Sequence, residues 1–197
     1  MRIAVTDQYK SLASFVPTFK TQPLSYADCA RLPEHHTRVL IPVVRSIPDL
    51  RSCNLEFFFE YDIFPRRILS ALGEWQSENR SMRVGDVIVQ QASVPPLPIS
   101  LKFVFAVRVL DVTQSPTQMS FTYGTLAGHV ETGTSEFILV LRDNRLFAEI
   151  HTFSRPTHFL NRLVAPVLTR PYQQYCTDYA LAHMRDTFLR VNPECAA

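Results

Sequence analysis

A hairpin-like stretch in the middle of the chain constrains the fold most. Residues 120–142 read SFTYGTLAGHVETGTSEFILVLR, in which two alternating halves flank a glycine-containing tetrad, LAGH. The apolar positions of the halves are Phe121, Tyr123, Phe137, Leu139 and Leu141. Alternation predicts strands, and Gly128 can supply the positive φ that a tight turn needs. A second glycine, Gly133, predicts a bulge in the return strand.

The segments around this hairpin have the same period of two. Residues 85–94, 99–112 and 146–153 alternate in the same way, and short turns at residues 115–117 and 143–144 separate consecutive strands. Since short connections join neighbouring strands in opposite directions, we expect one antiparallel sheet.

The first third of the chain has a different character. Residues 1–52 contain no glycine and five prolines, which predicts a proline-containing arm packed on a domain formed by residues 53–192, with a partly mobile arm as the open alternative. Residues 54–62 alternate and predict a strand. Residues 65–79 have helical spacing, with Pro65 in the first turn and Trp75 on the apolar face.

The last third of the chain predicts one long helix. An apolar stripe at helical spacing runs from residue 160 to 188; Ser154 is a candidate N-cap with Thr157 as its competitor, and Pro166 and Pro171 are expected to kink or divide the helix. This helix is the only predicted element large enough to cover the sheet. We therefore expect an α+β helix-grip fold, in which a curved antiparallel sheet of six to seven strands surrounds the long carboxy-terminal helix and leaves an internal cavity. A hotdog fold ranks second, because its long helix comes earlier in the chain.

Composition and charge exclude several classes of function. The 197 residues carry a net charge of +2, too small for the basic surface that nucleic-acid binding needs. The four cysteines lack metal-ligand spacing, and no phosphate loop, nucleophile elbow or HExxH motif is present. The chain shows no signal peptide and no apolar run long enough to span a membrane, so we expect a reducing cytoplasm.

The segment FTYGTLAGHVETGTSEFIL, followed by FAEIHTFSRP and the terminal helical stripe, resembles a bacterial and plant family known by a domain-of-unknown-function label. The family's YGTLxGHxExG hairpin corresponds to residues 123–133, and its FSRP motif to residues 153–156. The resemblance covers about residues 55–185. It implies kinship with the START-like, pollen-allergen-like (SRPBCC) helix-grip proteins. Those proteins bind hydrophobic small molecules, and some catalyse cyclisation, aldol or dehydration steps without a cofactor.

The hairpin also carries the first candidate catalytic residues. His129 and Glu131 lie two positions apart, so that on a regular strand they share a face and could act as an acid/base pair. The alternative is that they close the hairpin and bond each other. Tyr123 could orient a ligand oxygen, or belong to the core with its hydroxyl satisfied.

Glu149 and His151 are the second candidate pair. They share one face of the last strand, and if that face lines the cavity, burial would tune both groups for acid/base work. If Ala148, Ile150 and Thr152 form the inner face instead, the pair lies outside. The pattern leaves both alternatives open.

These features predict a protein that binds a hydrophobic small molecule and acts on it as a cofactor-independent cyclase or isomerase. A non-catalytic carrier is the alternative, and a structural or interaction protein is the third. We expect no metal and no cofactor; the partner is the small molecule, with a homodimer as an open alternative. The candidate ligand contacts are Phe103, Phe105, Phe121, Trp75, Arg155 and Tyr175.

Overall fold

The computed structural model describes residues 1–25, 31–94, 101–156 and 166–196. Its strands are β1 (Arg2–Ala4), β2 (Glu34–Ile41), β3 (Leu69–Gly73), β4 (Val87–Val94), β5 (Leu101–Gln114), β6 (Gln118–Thr125), β7 (Glu131–Arg142) and β8 (Arg145–Pro156). Its α-helices are α1 (Leu12–Lys20), α2 (Glu56–Phe59), α3 (Glu74–Ser77) and α4 (Pro166–Val191). None of the helices in these described ranges is both long and apolar enough to cross a membrane.

All eight strands form one antiparallel sheet. Seven lie side by side in the order β2-β8-β7-β6-β5-β4-β3, and the short β1 pairs with β5. Hairpins join β5 to β6, β6 to β7 and β7 to β8, as the short connections in the sequence predict. The predicted α+β helix-grip fold is confirmed, with one strand more than expected.

Helix α4 covers the concave face of the sheet. Its inward side chains, Ala180, Leu181, Met184 and Phe188, are buried. They belong to one core with side chains from the strands, among them Ile41, Ala148, Phe121 and Phe137. The rings of Phe121 and Phe137 stack with their centroids 5.2 Å apart. One long apolar helix side and the inner side chains of the sheet therefore make the main core.

Residues 1–52 take part in the sheet. They supply β1, the edge strand β2 and helix α1. Leu12 and Phe19 of α1 pack on the outer face of the sheet against Val87, Val89 and Ala106, forming a second, smaller core.

The tip of the β6–β7 hairpin matches the predicted turn. The His129 N–H donates to the Leu126 carbonyl (3.0 Å), and Gly128 has φ +79°. The predicted bulge at Gly133 is wrong, since the β7–β8 register is continuous there. Gly133 has φ +149°, and a Cβ at this position would lie 1.9 Å from the Phe153 carbonyl oxygen, so close strand approach explains the glycine. The register shift in this part of the sheet lies in β5, between Val109 and Asp111.

The prediction of a strand at residues 54–62 is wrong. The Asn54 side chain accepts the Glu56 N–H, and the short helix α2 follows. Both Phe57 and Phe58 are buried, so the segment has no outward face of the kind that strand alternation assumes. Consecutive aromatic residues carry no period of two, and the local cap decides the structure.

The prediction of a helix at residues 65–79 is also wrong. Pro65 accepts the backbone N–H groups of Ile68 and Leu69 in a single turn, after which the chain enters β3. Helix α3 is a four-residue turn that contains Trp75. Pairing with β4 overrides the helical spacing of the apolar residues.

The start of the terminal helix differs from the prediction. Ser154 lies inside β8 and does not cap a helix. Helix α4 runs through Pro171 without a break, so the predicted division at that proline is wrong. The competing cap Thr157 and the start of the predicted stripe at residues 160–164 lie outside the described residues.

Candidate functional site

A cavity of about 500 Å³ lies between the concave face of the sheet and α4. Its apolar wall includes the rings of Phe64, Phe105 and Phe137, together with Leu69 and Ile150. Its polar groups come from the strands and from Gln173, Gln174 and Thr177 of α4. A partly apolar cavity of this size with a few convergent polar groups is typical of a small-molecule site.

A row of polar side chains crosses the floor of the cavity. Tyr123 lies opposite Ser135 in the β6–β7 register, Ser135 opposite Thr152 in the β7–β8 register, and His35 opposite Thr152 in the β2–β8 register. All four line the cavity. Because each of them faces inward from a neighbouring strand, sheet pairing alone brings these polar groups together.

Two hydrogen bonds order this polar row. The Thr152 hydroxyl donates to Ser135 Oγ (3.0 Å), and the Gln90 amide donates to the Tyr61 hydroxyl (2.7 Å). The side chains of Ser135, Tyr61 and Gln90 all face the Tyr123 hydroxyl. Burial raises the pKa of Tyr123, and these three neighbours partly oppose that shift, so Tyr123 is a neutral donor at ordinary pH.

Tyr61 is held in a strained backbone conformation. Its φ is +60°, a left-handed value that costs a bulky residue about 1–3 kcal/mol, and its side chain is buried. The pKa of Tyr61 is raised well above its usual range, first by burial and then by Tyr123. A buried tyrosine held at such a cost beside the cavity is typical of a site in which a side chain must be aimed.

Glu131 places a carboxyl group at the end of the row. It begins β7, lines the cavity, and accepts a hydrogen bond from Gln173 of α4. Burial raises the pKa of Glu131, while the hydrogen bonds from Gln173 and Ser154 act in the opposite direction. A carboxyl group with a raised pKa can hold or release a proton closer to neutral pH than an exposed one.

His129 is neutral and tied to the hairpin backbone. Its Nδ1 lies 3.0 Å from the Glu131 backbone nitrogen and 3.1 Å from the Glu131 carbonyl oxygen, so the neutral ring is held against the backbone of Glu131. Nε2 is buried and has no hydrogen-bond partner in the part of the chain that the structure describes, and the ring edge packs on Phe105 with centroids 4.3 Å apart. Burial lowers the pKa of His129 to about 3. The ring of His129 is therefore neutral near pH 7 and contacts the backbone of Glu131.

Glu149 and His151 lie on the other face of β8. Ile150, Thr152 and Ser154 line the cavity, so the intervening residues point outward. Glu149 accepts two bonds from Arg142 (2.6 and 3.1 Å) and lies 3.1 Å from His36, while His151 pairs with Glu34 (2.7 Å). Of the two faces that the sequence left open, the cavity takes the one with Ile150, which corrects the placement of Glu149 and His151 as catalytic candidates.

Of the six predicted ligand contacts, only Phe105 is among the described residues that line the cavity. Phe103, Phe121 and Trp75 are buried and are not among the residues that line it. Arg155 is exposed at the end of β8, and Tyr175 packs on Tyr179 with ring centroids 4.4 Å apart. This placement corrects the list of contacts, which took every inward or aromatic position as a wall of the cavity.

Several site residues had no clear signal in the sequence. Ser135 and Thr152 fall on the inner face by strand parity, but their place in one row depends on the register between strands. Gln90, Tyr61 and Gln173 come from three other parts of the chain. Among the described residues, no group of three or more His, Cys, Asp or Glu side chains could hold a metal ion.

Residues 59–182, more than half of the chain, match the family described as a domain of unknown function, DUF1990. The chain belongs to the DUF1990 family. This confirms the resemblance inferred from the YGTLAGHVETG hairpin. No curated protein matches the sequence.

Two solved structures show the breadth of the fold. A hypothetical protein, jhp0584 from Helicobacter pylori, has 8% identity and a TM-score of 0.52, over 81% of this chain and 88% of that one. The di-domain ARO/CYC StfQ from the steffimycin biosynthetic pathway has 7% identity and a TM-score of 0.51, over 80% of this chain. The matched region spans half of StfQ. At these identities the likeness shows a shared fold.

Proposed function

We propose that this DUF1990 protein binds a hydrophobic small molecule in the cavity under α4 and acts on it without a cofactor, as a cyclase or isomerase. The reaction class is proton transfer at a carbon next to a carbonyl group, the step that precedes aldol closure or double-bond migration. Glu131 is the proposed acid/base residue. A helix-grip relative that carries the name ARO/CYC supports this choice of class.

The observation that carries the proposal is the setting of the Glu131 carboxyl. It faces a cavity with phenylalanine walls, and its pKa is raised by burial. Gln173 and the backbone contact with His129 fix its position from two sides. Perturbed acids in clefts are typical of proton-transfer sites, and a structural carboxylate would rather have its pKa lowered by a cation.

The test uses 2-tetralone as the probe, a bicyclic aromatic ketone with acidic α-hydrogens. In D₂O the protein should exchange these hydrogens for deuterium, which proton NMR follows directly. Glu131→Gln keeps the shape of the side chain and removes its proton chemistry, so the exchange rate should fall by about 10²–10⁴-fold.

The same substitution should increase stability, which separates function from structure. Because the pKa of the Glu131 carboxyl group is raised above its ordinary value of 4.5 in the folded protein, this group stabilises the fold at a pH below 4.5. The stabilisation is lost as pH rises through the pKa of the folded state. Glutamine lacks that loss, so Glu131→Gln should resist urea better than the natural protein at pH 8. Glu136→Gln, the same change on the outward side of β7, is the matched control. A Glu131→Gln protein that exchanges at the natural rate would sink the proposed role.

A non-catalytic carrier is the second candidate, because most polar groups of the cavity are hydroxyls and amides that bind without titrating. Binding of 2-tetralone without exchange would favour it. The cavity itself argues against a purely structural role. We also propose a cytoplasmic setting, which the free thiols of Cys53 and Cys195 favour, and a homodimer stays a prediction.

A further inference from the structure

We propose that Tyr123 is the hydrogen-bond donor to the substrate's carbonyl oxygen, and that two chains of hydrogen bonds converge on it to stabilise negative charge there. This inference rests on the proposed function and narrows its substrate class to neutral ketones or polyketones whose oxygen becomes an enolate. Tyr123 is then a catalytic residue, while Tyr61 and Ser135 are positioning residues.

The first chain begins at Gln90. Its amide donates to the Tyr61 hydroxyl (2.7 Å), so the oxygen of Tyr61 is occupied as an acceptor while its own proton remains to be donated. The Tyr61 and Tyr123 rings lie with centroids 6.3 Å apart, and the Tyr61 side chain faces the Tyr123 hydroxyl. The φ of +60° at Tyr61 aims this ring at Tyr123 from outside the sheet.

The second chain begins at Thr152. Its hydroxyl donates to Ser135 Oγ (3.0 Å), which leaves the Ser135 proton for Tyr123, its direct partner across β6 and β7. The Tyr61 and Ser135 side chains thus face the Tyr123 hydroxyl from two sides, and Tyr123 itself lines the cavity, so that its own proton can be offered to a ligand there. Because each link polarises the next, such chains make the last hydroxyl a stronger donor than a lone tyrosine.

The chemistry of the step follows from this arrangement. The Glu131 carboxylate takes a proton from the carbon next to the carbonyl group, and the electrons of that C–H bond form a C=C bond. The carbonyl π electrons move to oxygen, where the Tyr123 O–H meets the new charge. Return of the proton from Glu131 to another carbon completes an isomerisation. In a cyclisation the enolate carbon attacks a second carbonyl carbon of the same molecule, the π electrons of that carbonyl move to its oxygen, and this oxygen takes the proton from Glu131 to become a hydroxyl group.

The test uses 2-naphthols of graded acidity as stable mimics of the enolate, in the Glu131→Gln protein so that no carboxylate repels them. Absorbance reports how much of each bound naphthol is ionised, and titration gives its affinity. Affinity should rise with the acidity of the naphthol. Tyr123→Phe should weaken the most acidic naphthol by on the order of tenfold, the scale for a lost hydrogen bond to a charged group.

Three further variants test whether residues that only orient Tyr123 have a smaller effect than Tyr123 itself, which contacts the ligand. Tyr61→Phe and Thr152→Val should each lower the affinity for the most acidic naphthol by about twofold, because each removes one polarising link. Tyr9→Phe, a tyrosine on the side of the sheet that carries α1, is the control and should change nothing. The affinity for 2-methylnaphthalene, which has the shape but no hydroxyl, should stay constant in all variants.

The outcomes distinguish failure of the role of Tyr123 from failure of the proposed function. Tight binding of 2-methylnaphthalene together with naphthol affinities that ignore acidity would overturn the role of Tyr123 and leave the proposed binding function standing. Absence of binding by either compound, together with absence of 2-tetralone exchange, would overturn both. A dependence on acidity that survives in Tyr123→Phe would assign the donor to another residue and refute the proposal.

Discussion

At the scale of single residues, one environment drives two neighbours in opposite directions. His129 is buried and Glu131 is partly buried, and burial penalises the charged form of each. The imidazole therefore loses its proton more easily and the carboxyl keeps its proton longer. The sequence places both residues in the hairpin, but only the structure shows that burial moves their pKa values in opposite directions, which is why the proposal assigns proton transfer to Glu131.

The buried neutral histidine gives a pH-dependent stability. The pKa of His129 is about 3 in the folded protein, against 6.5 as the ordinary value. Between these values the unfolded chain binds one more proton, so stability is full above about pH 6.5 and falls by about 1.4 kcal/mol per unit as pH drops. His129→Gln removes this pH-dependent contribution to the free energy of unfolding. Urea unfolding at pH 7.5 and pH 5 should show the natural protein losing about 2 kcal/mol more than the variant.

A control keeps this measurement specific. His183 is a partly exposed histidine of α4 that does not line the cavity, so His183→Gln tests whether any lost histidine gives the same result. If the natural protein and His129→Gln lose stability in parallel as pH falls, the ring is not buried in the neutral form and its proposed role in placing Glu131 fails.

At the scale of elements, β8 shows what alternation can and cannot decide. Strand parity correctly separates residues 147, 149, 151 and 153 from 148, 150, 152 and 154. Both sets contain polar and apolar side chains, so parity alone does not name the inner face. The outer face buries Glu149 to 1% exposure through its ion pair with Arg142, which makes it look like an interior residue by burial alone.

This pair predicts a purely structural effect for Glu149. Glu149→Gln removes a buried charge that accepts two bonds from Arg142. Hydrogen bonds to charged groups contribute about 1.5–3 kcal/mol, and the half-exposed Arg142 can regain water, so the expected loss is about 1–2 kcal/mol. Exchange of 2-tetralone should be unchanged. Arg142→Gln should give the same result. If Glu149→Gln instead abolishes the exchange of 2-tetralone and leaves stability unchanged, Glu149 belongs to the site.

The same comparison shows where element prediction fails. The long hairpins from β5 to β8 follow from alternation and turns, because strands with one buried face repeat every two residues. The structures of the segments around Phe58 and Trp75 do not follow from the sequence. Aromatic residues are buried there on every side, and over so few positions the spacing of apolar residues does not distinguish a helix from a strand. The polar row on the cavity floor depends on register and on partners far apart in sequence, such as Gln90 with Tyr61.

At the scale of the whole molecule, α4 contributes both to the core and to the candidate site. Its carboxy-terminal half supplies the core residues Ala180, Leu181, Met184 and Phe188, while Gln173 near its other end reaches Glu131. The cavity lies beside the core under this one helix. Stability and site geometry are thus carried by different turns of the same element, so that they can be perturbed separately.

Phe188→Ala tests the contribution of α4 to the core. The ring is fully buried in the main core, and removal of a buried phenylalanine costs about 3–5 kcal/mol, because the lost contacts leave a cavity that the backbone cannot close. Urea unfolding should show this loss, while Asp178→Ala, an exposed position on the same helix, should change stability little.

Deletion of residues 157–197 should go further and abolish cooperative folding, because the inner face of the sheet then has no cover. A soluble truncated protein with a single sharp unfolding transition would contradict the helix-grip account of stability, since it would show that the sheet closes its own core.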